Sequence, residues 1–309
     1  MNNKIVIAVV GPTAIGKTAL GILLAKHFDT DIISADSRQF FKEMEIGTAV
    51  PSPDELKAVK HHFIQHKSIF ESYSVGDFEK EAVALLGSLF EEKDIVVMVG
   101  GSGLYVDAVI HGLDEFPEVP PKIRETLNRE WEEKGLEHLQ KELKQRDPEY
   151  YNKVDLENPH RLIRALEVCI TANQPYSSFL AQNKPERPFK YLYVGIEAPR
   201  EVIYERINAR VDQMMEAGLL EEAKRLFPQK KLNALQTVGY KELFEYLEGH
   251  CSLDVAISEI KKNTRRFAKR QLTWLRKNED ILWVSHKTNA NQILKKLNKQ
   301  LNKLNHAQR

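Results

Sequence analysis

Cysteine is scarce: Cys169 and Cys251 are the only two in 309 residues. Two are too few for a disulfide framework and have no metal-ligand spacing, so free thiols in a reducing compartment are expected. No apolar run approaches the roughly 20 residues that a membrane span needs. Met1-Asn2-Asn3-Lys4 runs straight into a strand pattern, without a basic-then-apolar leader. The expectation is a cytoplasmic protein with no membrane partner. An excess of one charge is also missing, since 45 Lys and Arg face 44 Asp and Glu. The total therefore does not advertise nucleic acid. The distribution does, because Lys261 to Lys277 carries eight Lys or Arg and no acid. Internal repeats, low-complexity segments and long linkers are absent as well. What remains, 42% hydrophobic and 29% charged residues, is an ordinary globular composition with room for one or two domains.

The strongest positive signal is Gly11-Pro12-Thr13-Ala14-Ile15-Gly16-Lys17-Thr18. It follows the apolar run Ile5 to Val10 and precedes the helical stretch Ala19 to His27, the strand-to-helix context that a phosphate-binding loop requires. Its glycines let several N–H groups and a helix N-terminus converge on one anion beside Lys17. Thr18 is placed to ligate a magnesium ion that bridges two phosphates. An NTP-hydrolysing protein also needs an apolar strand ending in a magnesium-binding Asp. The best remaining strand, Ile95 to Val99, runs instead into Gly100-Gly101-Ser102-Gly103. Asp36, after Ile32-Ile33-Ser34-Ala35, is the only acid at a strand end. In P-loop kinases that position faces the acceptor, so Asp36 reads as an acceptor-side base.

Residues 1–116 alternate short β-branched strands with helical stretches, which predicts a parallel sheet with right-handed crossovers. The break Phe116-Pro117-Glu118-Val119-Pro120-Pro121 opens a charged, helical segment, and Lys184-Pro185-Glu186-Arg187-Pro188 closes it. A further strand at Tyr191 to Ile196 makes that segment, 117–190, an insertion into a core formed by 1–116 and 191–309. The fold class is α/β: a P-loop nucleotide-kinase-like parallel sheet flanked by helices, with an inserted all-helical domain. A late strand is expected at Ile281 to Val284. Leu294, Leu297, Leu301 and Leu304 mark a docked amphipathic tail helix.

At helical period the stretch Asn263 to Trp274 separates into two faces. Ile257, Ile260, Phe267, Trp274 and the polar Gln271 fall on one, read as a core stripe; Arg266, Lys269, Arg270, Thr273 and Lys277 fall on the other. The basic face is either an ordinary solvated surface or, beside a phosphate-binding core, a contact for a phosphate backbone, and a buried Gln271 needs a partner that a base edge could supply. Arg206 and Arg210 lie one turn apart, like the arginines that cover phosphates in kinase lids. Ser102 offers a hydroxyl at a strand end where ligands gather. His61-His62 has no acid or cysteine at ligand spacing, and a structural or packing role is expected.

Taken together, the motif at 11–18, Asp36-Ser37-x-Gln39, Gly47-Thr48-Ala49-x-Pro51, His61-His62, Gly100-Gly101-x-Gly103-Leu104-Tyr105, Arg161 with Arg164 to Val168, Gly239-Tyr240-Lys241-Glu242 and Ala268-Lys269-Arg270-Gln271-x-Thr273-Trp274 resemble the bacterial tRNA dimethylallyltransferases over the whole chain. The resemblance implies transfer of a dimethylallyl group from dimethylallyl diphosphate to the N6 amine of the adenosine just 3′ of the anticodon. By the same resemblance Gly11, Pro12, Thr13, Ala14, Ile15, Gly16, Lys17 and Thr18 hold the diphosphate, Thr18 with Mg2+. Lys17, Thr18, Arg210 and Ser102 are catalytic with Asp36 as base. Asp36, Ser37, Arg38, Gln39, Ser102, Arg124, His160, Arg161, Arg164, Arg266, Lys269, Arg270 and Gln271 contact tRNA. The insertion acts as a tRNA clamp, the target base is drawn out of the anticodon loop, and the protein is a monomer. Ser102 replaces the usual threonine, Phe40 a frequent tyrosine and Gln65 a frequent aspartate. The zinc finger of eukaryotic relatives is missing. Competing readings are an adenylate prenyltransferase of the cytokinin type, a noncatalytic RNA-binding protein and a small-molecule kinase.

Overall fold

A computed structural model describes residues 4–180 and 185–306. Lys184 of the second break and Met1-Asn2-Asn3 lie outside the described residues. The chain divides into two compact units, Met1–Ile110 with Arg187–Arg309, and His111–Glu186. Among the described residues no helix is long and apolar enough to cross a membrane.

The first unit is built on a parallel sheet: β1 (Ile5–Val10), β2 (Ile32–Ser34), β3 (His61–His62), β4 (Ile95–Val99), β5 (Lys190–Glu197) and β6 (Leu282–Ser285), in the order β3-β2-β4-β1-β5-β6. Every residue of β1 is buried, as a central strand covered on both faces must be. The pleat divides them. Ile5, Ile7 and Val9 join one core with α1 (Lys17–His27), while Val6, Ala8 and Val10 join another with α3 (Val75–Glu92) and α4 (Gly103–His111); α2 (Pro53–Ala58) lies between β2 and β3 in sequence. The paired histidines, expected to be structural, form the short edge strand β3. His62 Nε2 lies 2.8 Å from Asp31 Oδ2.

The second unit contains α5 (Pro121–Lys134), α6 (Leu136–Arg146), α7 (Pro148–Tyr151) and α8 (Pro159–Ala172). Leu127, Leu139, Leu143, Leu162 and Leu166 form its own core. Its edges fall at 111 and 186 rather than 117 and 190. Phe116 stacks on Tyr176 at 4.9 Å, which ties the first proline break to the helical unit. At the other end Arg187 pairs with Glu79, and Lys190 already pairs with Ile5 in the sheet.

The chain returns through β5 into α9 (Arg200–Glu216), α10 (Leu219–Leu226), α11 (Tyr240–Leu247), α12 (Leu253–Leu275) and α13 (Ala290–His306). In the tail, Leu297 and Leu301 are buried against the β1 core, with Leu294 and Leu304 packed beside them. A third core joins α10 to α12 with Phe41 and Met44, and Glu222 sits in it at 1% exposure. Its Oε2 accepts from the amides of Glu45 (3.1 Å) and Ile46 (2.9 Å). Its Oε1 accepts from the amide of Gly47 (2.9 Å) and from the Tyr240 hydroxyl (2.6 Å). Position 47 must be glycine because a Cβ there would stand 2.6 Å from that hydroxyl. A buried carboxylate thus fixes the loop 45–50.

Removing it leaves three partly buried amides and the buried Tyr240 hydroxyl without their acceptor. Glu222→Ala is expected to cost roughly 2–4 kcal/mol in urea unfolding and to speed hydrogen exchange at the amides of Glu45, Ile46 and Gly47. Tyr240→Phe, which removes one bond, should cost less. Unchanged exchange at Gly47 would mean the carboxylate does not hold this loop.

Candidate functional site

The register sets Val9 level with Val99 and Val194, so β1 and β4 end within a residue of each other while β5 runs on to Glu197. Ligands gather at such carboxyl ends in parallel sheets. Here the strand ends open on a cleft of about 730 Å³ lined by Lys17, Asp36, Ser102 and Arg210. Gly16, at φ 105°, turns the chain from β1 into α1, and no side-chain hydrogen bond caps the helix start. The first helical amides are therefore presented to the cleft, where an anion satisfies them. Lys17 Nζ donates to the Pro12 carbonyl (2.9 Å). Burial pulls its pKa down to about 8, with Asp36 raising it and Arg210 lowering it. Burial also lowers Arg210, partly offset by Glu55 and Asp36. This cation pair is poorly solvated and gains most from a polyanion. Arg206 serves differently: its guanidinium donates to the Ile15 carbonyl (2.9 Å) and braces the loop.

Beyond β2, the Ala35 amide still donates to Val99 O (2.7 Å). The chain then turns at Asp36, whose Oδ1 accepts from the Arg38 amide (3.1 Å). Asp36 thus faces the cleft that holds Lys17 and Arg210. Ser37 and Ser102 touch through their hydroxyls at 3.4 Å. The cleft accordingly has a cationic, amide-lined end and an end with a carboxylate and hydroxyls. It can hold a diphosphate beside a hydrogen-bonding acceptor.

Several side chains expected to read RNA are engaged within the protein. Gln39 Nε2 donates to the carbonyls of Thr48 (3.2 Å) and Ala49 (2.8 Å), and its Oε1 accepts from Ser34 Oγ (3.3 Å). It secures the loop that Glu222 also holds, at Thr48 and Ala49 rather than at residues 45–47. The Arg38 guanidinium donates to the carbonyls of Asn233 (3.2 Å) and Ala234 (2.9 Å). In the helical unit Arg124 grips the buried Glu167 with two bonds, of 2.6 and 2.9 Å, and Arg164 adds one of 2.6 Å. Those two arginines compensate a buried charge although Arg124 itself is exposed, and His160 and Arg161 are exposed on α8. Gln271 is buried as expected, but its partners are the backbone at Thr13 and Gly101, not a base.

On α12 the inward residues are Ala256, Ile260, Ala268, Gln271 and Leu275. Phe267 and Trp274, expected in the core, are exposed, because the helix beds on small Ala268 and aims its bulky neighbours outward. Trp274 Nε1 donates to Asp107 Oδ2 (3.1 Å). Around that indole, Arg266, Lys269, Arg270, Thr273 and Lys277 line a shallow groove. Glu222 is the cleft-organising residue that pattern reading missed. Gly47 and Tyr240 stood in recognised motifs, but nothing in their spacing pointed to a shared carboxylate.

The sequence model of the IPP transferase family matches residues 39–278. The chain is 60% identical over 296 residues to the tRNA dimethylallyltransferase of Christiangramia forsetii, covering 96% of this chain and 98% of that one. It is 58% identical over 297 residues to its counterpart in Flavobacterium johnsoniae, covering 94% and 96%. Among solved structures it is similar to the full-length tRNA isopentenylpyrophosphate transferase of Bacillus halodurans, with TM-score 0.71, 36% identity and coverage of 98% and 99%. It is also similar to a eukaryotic dimethylallyltransferase acting on tRNA, with TM-score 0.79, 26% identity and coverage of 94% and 75%. With the family model matched across residues 39–278 and relatives 58–60% identical along nearly their whole length, the chain belongs to the IPP transferase family.

Proposed function

We propose that this protein transfers a dimethylallyl group from dimethylallyl diphosphate to the N6 amine of the adenosine 3′ of the anticodon in tRNA, releasing diphosphate. The observation that carries the reading is the cleft's division into a phosphate loop without a metal-binding acid and a facing carboxylate, Asp36. Relatives named for this activity support it. The allylic C–O bond breaks as the N6–C bond forms, the bonding electrons leave with the diphosphate, and the amine loses a proton. Lys17, Arg210 and the amides of the loop are suited to the charge that grows on the leaving group. Asp36 is suited to orient the amine and accept its proton, and because an exocyclic amine is a weak nucleophile, positioning matters more than basicity.

Thr18 gives the cleft one hard oxygen donor beside the loop, which fits an Mg2+ carried mainly by diphosphate oxygens and water. When bound, the ion supplies charge neutralisation to the leaving group. The exposed cations of α12 match an RNA backbone, and in the helical unit His160, Arg161 and Arg124 are exposed, Arg124 while bound to Glu167. We read the chain as a cytoplasmic monomer.

Labelled dimethylallyl diphosphate, offered with magnesium and either an adenosine-rich anticodon stem-loop or AMP, should label the stem-loop alone. Label on AMP would move the protein to the cytokinin-type enzymes, and ATP-dependent phosphorylation without prenyl transfer would make it a kinase. Asp36→Ala is expected to lower kcat by about 10²–10⁴ with stem-loop affinity little changed; lost affinity with intact chemistry would remove Asp36 as the base. Lys17 must be protonated to hold an anion. Pyrophosphate affinity, corrected for the ligand's own titration, should be flat below pH about 8. It should then fall by up to about tenfold per pH unit as Lys17 deprotonates. The decline should be absent in Lys17→Met, and a decline of equal slope there would assign it to another group.

A further inference from the structure

Gln271 is the polar residue that α12 turns inward, at 8% exposure. Its side-chain Oε1 accepts from the Thr13 amide at 2.9 Å and its Nε2 donates to the Gly101 carbonyl at 2.7 Å. An amide N–H only donates and a carbonyl only accepts, so these partners fix which way the Gln271 amide faces. One end of it thus holds the phosphate loop and the other holds the turn after β4. Gly101 makes the contact possible: a Cβ there would lie 2.6 Å from Gln271 Nε2 and 3.3 Å from Lys17 Nζ. Lys17 and Gln271 therefore pack on the same bare backbone. The next residue is Ser102, whose hydroxyl meets that of Ser37, beside Asp36. One side chain spans the leaving-group side and the acceptor side of the cleft. It does so from the helix that carries Lys269 and Arg270 outward.

We propose that Gln271 is a positioning residue: it locks the phosphate loop and the Ser102 turn to α12 and so sets the distance between the leaving diphosphate and the acceptor amine. The proposal rests on the prenyl-transfer reading for its kinetic consequence. Burial alone does not call for glutamine. A methionine fills similar space without polar atoms to desolvate, whereas a side chain of this length that carries both a donor and an acceptor meets both backbone groups at once. Asparagine falls short by one methylene.

The test uses Gln271→Glu and Gln271→Met in the full chain. A protonated glutamic acid reproduces the pattern, with its O–H donating to Gly101 and its C=O accepting from Thr13. The ionised form presents a lone pair to the Gly101 carbonyl instead. At pH 8 both variants are expected to lose at least about tenfold in kcat, with KM for the stem-loop within about threefold of wild type. As pH falls, the Glu variant alone should recover towards wild type, read as the ratio of the two activities at each pH, while the Met variant stays low. Parallel loss in both variants without recovery would reduce Gln271 to packing and overturn the proposal. A rise in stem-loop KM with kcat intact would make it a base reader and overturn it equally. If wild-type protein transfers no prenyl group, the transferase reading falls, and calorimetry with magnesium pyrophosphate then reads the latch alone. At least about fivefold weaker binding in Gln271→Met, which removes no phosphate contact, supports it. Equal binding overturns it.

Discussion

The turn between β1 and α1 has to meet two demands: it reverses the chain through a left-handed Gly16, and it leaves the first amides of α1 without a side-chain cap beside Lys17. An uncapped helix end and a desolvated ammonium are both costly in the absence of an anion. The surroundings keep the turn from relaxing. Arg206 holds the Ile15 carbonyl and Gln271 holds the Thr13 amide, so the loop is braced from α9 and α12. The fully buried β1 fixes its base. An anion-ready geometry follows from these ties, because amides aimed in advance need no reorganisation when charge develops.

The same device recurs elsewhere along the cleft. Glu222 and Gln39 grip successive parts of the loop 45–50, one through backbone N–H groups and one through backbone carbonyls. In the helical unit Glu167 is bound by Arg124 and Arg164. Each is a buried or half-buried polar group that reaches a neighbouring segment, and each fixes a segment that apolar packing alone would leave with several arrangements. Charge is spent inside this protein on position, and the cations of α12 that line the surface groove remain outside.

The alternating pattern of apolar runs located the strands because β-branched residues bounded by glycine have few other places to go. The P-loop announced its own turn, and the tail leucines announced α13. Two-residue β3 escaped because His61-His62 carries no apolar signal and pairs only through backbone. Periodicity put Gln271 inside correctly, yet it also put Phe267 and Trp274 there. The wheel does not say that Ala268 sits at the closest approach, which leaves larger side chains at the margin. Roles were harder to read than positions. Arg124, Arg38 and Gln39 have the chemistry of RNA readers, but their partners are carbonyls and a carboxylate that the folded chain brings to them, and the one-turn spacing of Arg164 and Glu167 does not say that Glu167 is buried. Glu222 looks in sequence like any helix-surface acid.

The central claim is that one cleft sets a leaving diphosphate against an acceptor amine held by Asp36. The most direct measurement is a crystal structure with an unreactive dimethylallyl thiodiphosphate and an anticodon stem-loop. The account predicts the diphosphate on the amides of residues 14–18 and Lys17, the target adenine out of its stack, and its N6 between the Asp36 carboxylate and the allylic carbon. A diphosphate bound elsewhere, or an Asp36 carboxylate turned away from N6, would contradict it.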